Sequence, residues 1–135
     1  MVRKSFTMVA LCTLALVLSG CGKSHESIAK EVMVKFQDLD DVMKGITDEA
    51  SAKAAPDKVK AIAADMKKLK EEDDSLGKLT KEEDEKIRNA HEAEMKTIQA
   101  DMEKQMQRIM QDPKLAPSMM DVAKQMMDLG QTMTK

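Results

Sequence analysis

Methionine is the residue type in this chain with the widest scope for chemistry. Nine of the 14 methionines lie in residues 95–133, and their soft thioether sulfur suits Cu(I). Since about four residues make one helical turn, Met106 and Met110 share a face, as do His91 and Met95. A helix interface packed with flexible methionines fits the same spacing. We favour packing and expect no metal or other cofactor; the candidate copper ligands are His91, Met95, Met102, Met106 and Met110.

Histidine offers a second candidate site. His91 lies on the apolar face of its predicted helix, where Met33 or Met43 could face it from another helix. A Met/His pair inside a helical bundle resembles the haem site of periplasmic b-type cytochromes. Phe36 is the only aromatic residue after position 20, which makes a poor lining for haem, and the chain has no CxxCH motif for covalent attachment. We therefore favour a locally hydrogen-bonded His91, and we expect His25 to be solvated.

Carboxylates form two dense runs, at residues 71–74 and 82–85, on either side of a predicted turn. Facing each other, they could attract a divalent cation. Their spacing is not that of a calcium-binding EF-hand loop, and acidic residues are favourable at the start of a helix. The sequence contains no HExxH motif, glycine-rich phosphate loop or Ser/His/Asp arrangement. We therefore predict that the protein is not an enzyme.

Cys21 follows a segment typical of an export signal. Arg3 and Lys4 give a positive start, and residues 6–18 are mainly apolar. About 13 apolar residues are too few to span a bilayer comfortably, but they match the h-region of a signal peptide. The segment ends in Leu18-Ser19-Gly20-Cys21, which resembles the lipobox of bacterial lipoproteins. The alternative is an ordinary signal peptide or membrane anchor with a chance cysteine.

The lipobox resemblance implies a specific maturation. Residues 1–20 are removed as a signal peptide, and Cys21 becomes the first residue and carries diacylglycerol and palmitate, which anchor the protein to a membrane. Cys12 is discarded, so no disulfide is expected. Residues 21–27 are the lipidated cysteine and a short tether, and residues 28–135 are the helical domain. Gly22 is not the aspartate that retains lipoproteins in the inner membrane of some double-membraned bacteria, which favours the periplasmic face of the outer membrane.

Composition bounds the fold and the partners. Charged residues make up 34% of the chain, Tyr and Trp are absent, and good helix formers dominate. Residues 21–135 contain 20 basic and 24 acidic residues, a net charge of −4. This mild acidity argues against binding to nucleic acid. A protein partner in the cell envelope is compatible with the methionine-rich face, because such faces accept varied helices.

Two amphipathic helices are predicted in the first half of the domain. The first runs from about residue 25 to Gly45, with Ser24 or Ser27 as its N-cap. The second is capped at Asp48 and ends at a Leu-Gly turn, and Pro56 either bends it or marks its true start. Each has one apolar face: Ile28, Val32, Phe36, Leu39, Met43 and Ile46 in the first, and Ala55, Val59, Ile62, Met66 and Leu69 in the second.

Two more helices are predicted in the second half. A capping box at Thr80 opens a long helix that runs to about Gln111, where Asp112 and Pro113 stop it. A short fourth helix starts at residues 117–118 and ends before Gly130. Their apolar positions are Ile87, His91, Ile98, Met102, Met106 and Ile109 in the third helix, and Met119, Val122, Met126 and Leu129 in the fourth. The fold class is all-α: an antiparallel bundle of three long helices plus a short C-terminal helix.

Short motifs at the helix ends add a second resemblance. Asp48 with Ala50-Ser51-Ala52, the turn Leu76-Gly77, the acidic cap at residues 80–83 and the break at residues 112–115 occur in this order. With these motifs and its methionine-rich helix, the chain resembles a group of small, exported, helical bacterial proteins over residues 28–129. The resemblance implies a helical fold in the cell envelope. That group has no assigned activity, so it implies no catalytic residue.

Overall fold

The computed structural model of the protein describes residues 22–133, the last of them by its backbone alone. They form four α-helices: α1 His25–Lys44, α2 Glu49–Ser75, α3 Lys81–Gln111 and α4 Ala116–Met133. No strand occurs within these residues, so the predicted all-α class is confirmed. The predicted signal peptide, with Cys12, and the predicted lipidation site Cys21 lie outside the described residues.

Local side-chain chemistry explains where the first three helices begin. Each starts with a capping box, in which an N-cap side chain accepts a hydrogen bond from the N3 backbone and the N3 side chain reaches back to the N-cap backbone. The predicted caps Asp48 and Thr80 are confirmed, and Ser24 is the N-cap of α1. The reciprocal partners are Ser27 for Ser24, Ser51 for Asp48 and Glu83 for Thr80.

The helix ends agree with the sequence in part. Gly45 caps α1, and Gly77 follows α2 with φ +92°, a left-handed conformation that glycine adopts readily. Pro56 lies inside α2, so the idea that it marks the true start is wrong; Asp48 already fixes the start. The predicted stop at Gly130 is also wrong, because α4 continues to Met133. Gly130 does not have a positive φ, and a helical glycine costs only about 1 kcal/mol.

The predicted apolar faces build one continuous core. Burial of aliphatic and thioether side chains is the main stabilising contribution in such a bundle. The packing interpretation of the methionines holds for much of the core, since Met33, Met43, Met66, Met102 and Met119 are buried in it. The largest fully buried apolar side chains come from all four helices and the α1–α2 connection: Leu39 and Met43 on α1, Ile46 just after it, Val59 and Met66 on α2, Ile109 on α3, and Val122 on α4.

The helices do not pack in the order of the chain. In the described part, α1 packs against α2 and α3, and α4 packs against α2 and to a lesser degree α3, but α2 and α3 do not pack against each other. Ion pairs join α1 to α2 at one end and near the middle: Lys23, just before α1, lies 2.9 Å from Glu72, and Lys35 lies 3.2 Å from Asp65. The consequence is a space between α2 and α3.

Candidate ligand pocket

A pocket of about 490 Å³ lies between the first turns of α1, the last turns of α2 and the first half of α3. Ligand sites typically have volumes of roughly 300–1,000 Å³ with mainly apolar walls. Charged side chains such as Arg88 and Lys96 also contribute to this pocket. Its apolar lining consists of Ile28, Val32, Met33, Leu69, Ile87 and Met95, with Ala29 and Leu79.

The pocket follows from the unequal lengths of the helices. At 1.5 Å per residue, the 27 residues of α2 and the 31 of α3 extend about 40 and 46 Å, whereas the 18 residues of α4 extend only about 27 Å. None of the described residues that line the pocket belongs to α4. The pocket is therefore the part of the space between α2 and α3 that the fourth helix leaves unfilled.

His25 lies at the pocket and is not the solvated tether residue that we expected. Its Nδ1 is 2.6 Å from Oδ1 of Asp73 near the end of α2, and its side chain is only 20% exposed. The cap at Ser24, one of the two predicted N-caps, starts α1 at His25, so residues 25–27 are helical and do not belong to the tether that was predicted for residues 21–27. The His25–Asp73 contact fastens the beginning of α1 to the end of α2.

His91 also lines the pocket, and one of its ring nitrogens is unsatisfied. Nε2 is buried and has no hydrogen-bond partner among the described residues, while Nδ1 lies 4.0 Å from Oε2 of Glu94. The side chain is 17% exposed. The local hydrogen bond that we expected is therefore absent, because Glu94, one turn further along α3, remains too far from the ring for a hydrogen bond.

The five candidate copper ligands do not converge. His91 and Met95 line the pocket together, but Met102 is buried in the core and Met110 is 63% exposed. Met106 is half-buried against the core. Two methionines of α1, Met33 and Met43, were the candidate partners of His91 in a haem site. Met33 lines the same pocket as His91, whereas Met43 is buried in the core and does not line it. Within residues 22–133, no group of three or more His, Cys, Asp or Glu side chains is arranged to hold a metal ion.

The two acidic runs are occupied by contacts with other side chains. Asp74 pairs with Lys70 at 3.1 Å, and Asp84 pairs with Arg88 at 2.8 Å. Glu83 accepts hydrogen bonds from the backbone N–H and the hydroxyl of Thr80, which hold the pKa of its carboxyl below the usual value. The two runs therefore lie at the end of α2 and the start of α3, where the sequence predicts helix-end residues.

Lys23 ties the tether to the bundle. Its ammonium group lies 2.8 Å from Glu31 on α1 and 2.9 Å from Glu72 on α2. The carboxylate of Glu31, and after it that of Glu72, raises the pKa of Lys23. Lys23 is the second residue after Cys21. The chain therefore leaves the described structure at the end of the bundle where the pocket lies.

Three features were not found from the sequence. Asp40 is 1% exposed, and its Oδ1 has no partner in the described structure although Oδ2 accepts a hydrogen bond from Lys44 at 2.6 Å. The guanidinium of Arg108 binds backbone carbonyls at the end of α1. The third feature is a set of exposed methionines, Met110, Met120 and Met127. The Asp40–Lys44 spacing of four residues was a usable signal, because such pairs meet on a helix.

Comparison with models of known protein families, with curated protein sequences and with solved structures finds no match to this chain. The four helices also differ from membrane spans: none of those in residues 22–133 combines the length and apolar character needed to cross a bilayer.

Proposed function

We propose that the protein is a lipoprotein of the bacterial cell envelope, anchored by lipid on Cys21, with a helical domain that acts by binding or as a structural element and not as an enzyme. The sequence basis is the positively charged start, the apolar segment and Leu18-Ser19-Gly20-Cys21. The structural observation that supports it most is that residues 33–129 already provide a continuous core.

The proposed location is the periplasmic face of the outer membrane where the cell has two membranes, and Gly22 after the cysteine supports it. Two lipid-borne chains bind a membrane stably, whereas one myristoyl chain binds only marginally. A protein partner in the envelope is part of this proposal, and its identity is to be found by crosslinking in membranes.

The arrangement of the helices is proposed at a finer level as an antiparallel bundle of three long helices plus a short C-terminal helix. The contacts between the start of α1 and the end of α2, at Lys23 with Glu72 and His25 with Asp73, support opposite directions for these two helices. Their short connections support the same pattern. The lengths favour two long helices, α2 and α3, and two shorter ones, since α1 has 20 residues and is close to α4 with 18.

Labelling with radioactive palmitate tests the anchor. We expect the wild-type chain to incorporate the label, Cys21→Ala to lose it and remain uncleaved, and Cys12→Ala to keep it as the matched control. Mass measurement of the mature N-terminal peptide should place the lipid on Cys21. An unlabelled wild-type chain, or label retained in Cys21→Ala, would refute the proposal.

A second candidate function is that of a periplasmic copper- or haem-binding carrier. The observation that favours it is the buried, unpartnered Nε2 of His91, in a pocket that Met33 and Met95 also line. Imidazole nitrogen is a common ligand of copper and of haem iron. Our first proposal predicts a colourless protein whose melting temperature does not rise with Cu(I) or haem. A rise that is lost in His91→Asn and retained in His25→Asn would establish the second function instead.

A further inference from the structure

The dimensions of the pocket restrict what can fill it. Its wall on α3 extends from Asp84 to Gln99, which corresponds to about 22 Å at 1.5 Å per residue. The walls on α1, from His25 to Met33, and on α2, from Leu69 to Asp73, are shorter, about 12 and 6 Å. The pocket is therefore a groove along α3 with α1 and α2 at its sides, and its volume of about 490 Å³ lies in the range of small-ligand sites.

The lining indicates a flexible, uncharged occupant. No Phe, Tyr or Trp side chain of the described chain lines the pocket, so the large aromatic surfaces that favour a flat ring system are missing there. The apolar lining is aliphatic or thioether, and flexible methionines such as Met33 and Met95 adapt to a flexible partner. The positive and negative charges that line the pocket are equal in number, so they do not select a charged ligand of either sign. They belong to Lys70, Arg88 and Lys96 and to Asp73, Asp84 and Glu92.

The position of Cys21 supplies such an occupant. His25, which lines the pocket, is the fourth residue after Cys21, and four residue steps span at most about 14 Å. Lys23, between them, is held against Glu31 and Glu72. A lipid attached to Cys21 therefore begins close to the pocket. We propose that one acyl chain of this lipid lies in the pocket and fills the strip that α4 leaves open, an inference that rests on the proposed lipidation.

The insertion has a simple energetic basis. Removing CH₂ groups from water is favourable, and both the pocket and the bilayer shelter such groups from water. The acyl chain that enters the pocket thus leaves the apolar interior of the bilayer for the apolar wall of the pocket. It covers the half-buried side chains of Val32 and Ile87, which are exposed at the pocket when it is empty. The remaining acyl chains stay in the bilayer and hold the domain against the membrane surface.

Photo-crosslinking in membranes tests this inference. Cells expressing the full chain are fed palmitate with a diazirine near its methyl end, the membranes are irradiated, and crosslinked peptides are identified by mass spectrometry. We expect a crosslink between the lipid on Cys21 and peptides from residues 25–33 or 84–99 of the same chain. Crosslinks to membrane lipids alone would overturn the inference.

Two substitutions give a matched comparison. Ala29 lines the pocket, whereas Val34 is 57% exposed on the same helix and does not line it. Ala29→Phe should fill the pocket and lower the intrachain crosslink at least fivefold, and Val34→Phe should leave it unchanged. Ile87→Phe is the second filling variant, and far-UV circular dichroism identifies the variants that fold. Equal crosslinking in all folded variants would contradict the proposal.

The same sample separates the two proposals. If the mass of the N-terminal peptide places the diazirine lipid on Cys21 and no intrachain crosslink forms, the pocket inference fails and the lipoprotein proposal stands. If Cys21 carries no lipid, the lipoprotein proposal fails, and the pocket inference fails with it.

Discussion

The guanidinium of Arg108 donates a hydrogen bond from Nη1 to the carbonyl oxygen of Ile46 at 2.8 Å, and a second from Nη2 to the carbonyl oxygen of Met43 at 3.1 Å. The last carbonyl groups of a helix have no partner inside it. Arg108, in the last turn of α3, therefore binds one carbonyl in the last turn of α1, 65 positions away, and one just after that helix, 62 positions away. This contact fixes the relative position of two helices that are not consecutive in the chain.

We expect Arg108→Gln to destabilise the domain by about 1.5–3 kcal/mol, because hydrogen bonds from a charged donor are lost and two carbonyl groups lose a partner. The measurement is the free energy of unfolding in urea, followed by circular dichroism. Arg88→Gln is the matched control, since Arg88 is exposed and its one ion pair within the described residues is with Asp84 on its own helix; it should change stability by less than about 0.5 kcal/mol. Equal losses in the two variants would show that the contact with α1 contributes nothing.

The Arg108 contact also shows how far the sequence determines the fold. Periodicity and capping residues predicted four helices and most buried positions, because both are encoded within one segment. A stripe such as that of Val59 and Met66 says which face is buried but not which helix covers it. The pairing of α2 with α4, and with it the pocket, depends on contacts distant in sequence. The burial of Asp40 was missed for a related reason: Asp40 is not part of the apolar stripe of α1, and carboxylates are rarely fully buried.

The buried carboxylate of Asp40 yields a second prediction. Replacing a buried ion pair with apolar residues is often neutral or stabilising, whereas removing one partner leaves an unpaired buried charge. The side chain of Lys44 is 42% exposed, so its ammonium group stays solvated when the buried carboxylate is removed. We therefore expect Asp40→Leu to leave the free energy of unfolding unchanged or to raise it by up to about 2 kcal/mol. Lys44→Met should destabilise the wild-type chain, because it removes the hydrogen bond of 2.6 Å to Oδ2.

A double-mutant cycle measures the pair directly. Lys44→Met should be clearly less destabilising in the Asp40→Leu background than in the wild type, since no buried charge then remains to be compensated. Lys53→Met is the control, as Lys53 pairs with Glu49 at the exposed surface of α2. The same loss from Lys44→Met in both backgrounds would contradict a role for the Asp40–Lys44 pair.

The N-cap carboxylate of α2 makes stability depend on pH. The hydroxyl and the backbone N–H of Ser51 donate to Asp48 and hold its pKa below the ordinary value of 3.8. The native state therefore binds this proton less readily than the unfolded state, so the contribution is fully present above pH 3.8 and is lost as the pH falls through the native pKa. Glu83 acts in the same direction, because Thr80 lowers its pKa from 4.5.

Asp48→Asn keeps an oxygen that caps α2 but cannot lose a proton. We expect the wild type to be more stable than this variant near neutral pH, and the difference to shrink as the pH falls from about 6 to about 2. Urea unfolding at each pH measures it. Asp57→Asn is the control, because Asp57 is exposed on the same helix and makes no capping contact within the described structure. A difference between wild type and Asp48→Asn that stays constant with pH would rule out the assigned titration.

Adjacent methionines on α4 give the fourth prediction, which tests how firmly that helix is packed. Met119 is 4% exposed and Met120 is 78% exposed, so their chemistry differs only through burial. We expect limited hydrogen peroxide to convert Met120 to the sulfoxide at least roughly tenfold faster than Met119, because oxidation follows access to the sulfur. In urea the two rates should converge. Peptide mass spectrometry over a time course measures both.

The oxidation pattern also locates any weakness in the bundle. Met66 of α2 is fully buried and serves as an internal reference for the core. If α4 packs stably on α2, Met119 and Met66 oxidise at similarly low rates, because both become accessible only when the bundle opens as a unit. Rapid oxidation of Met119 with continued protection of Met66 would mean that α4 detaches by itself. That outcome would contradict the packing of Met119 and Val122 into the common core.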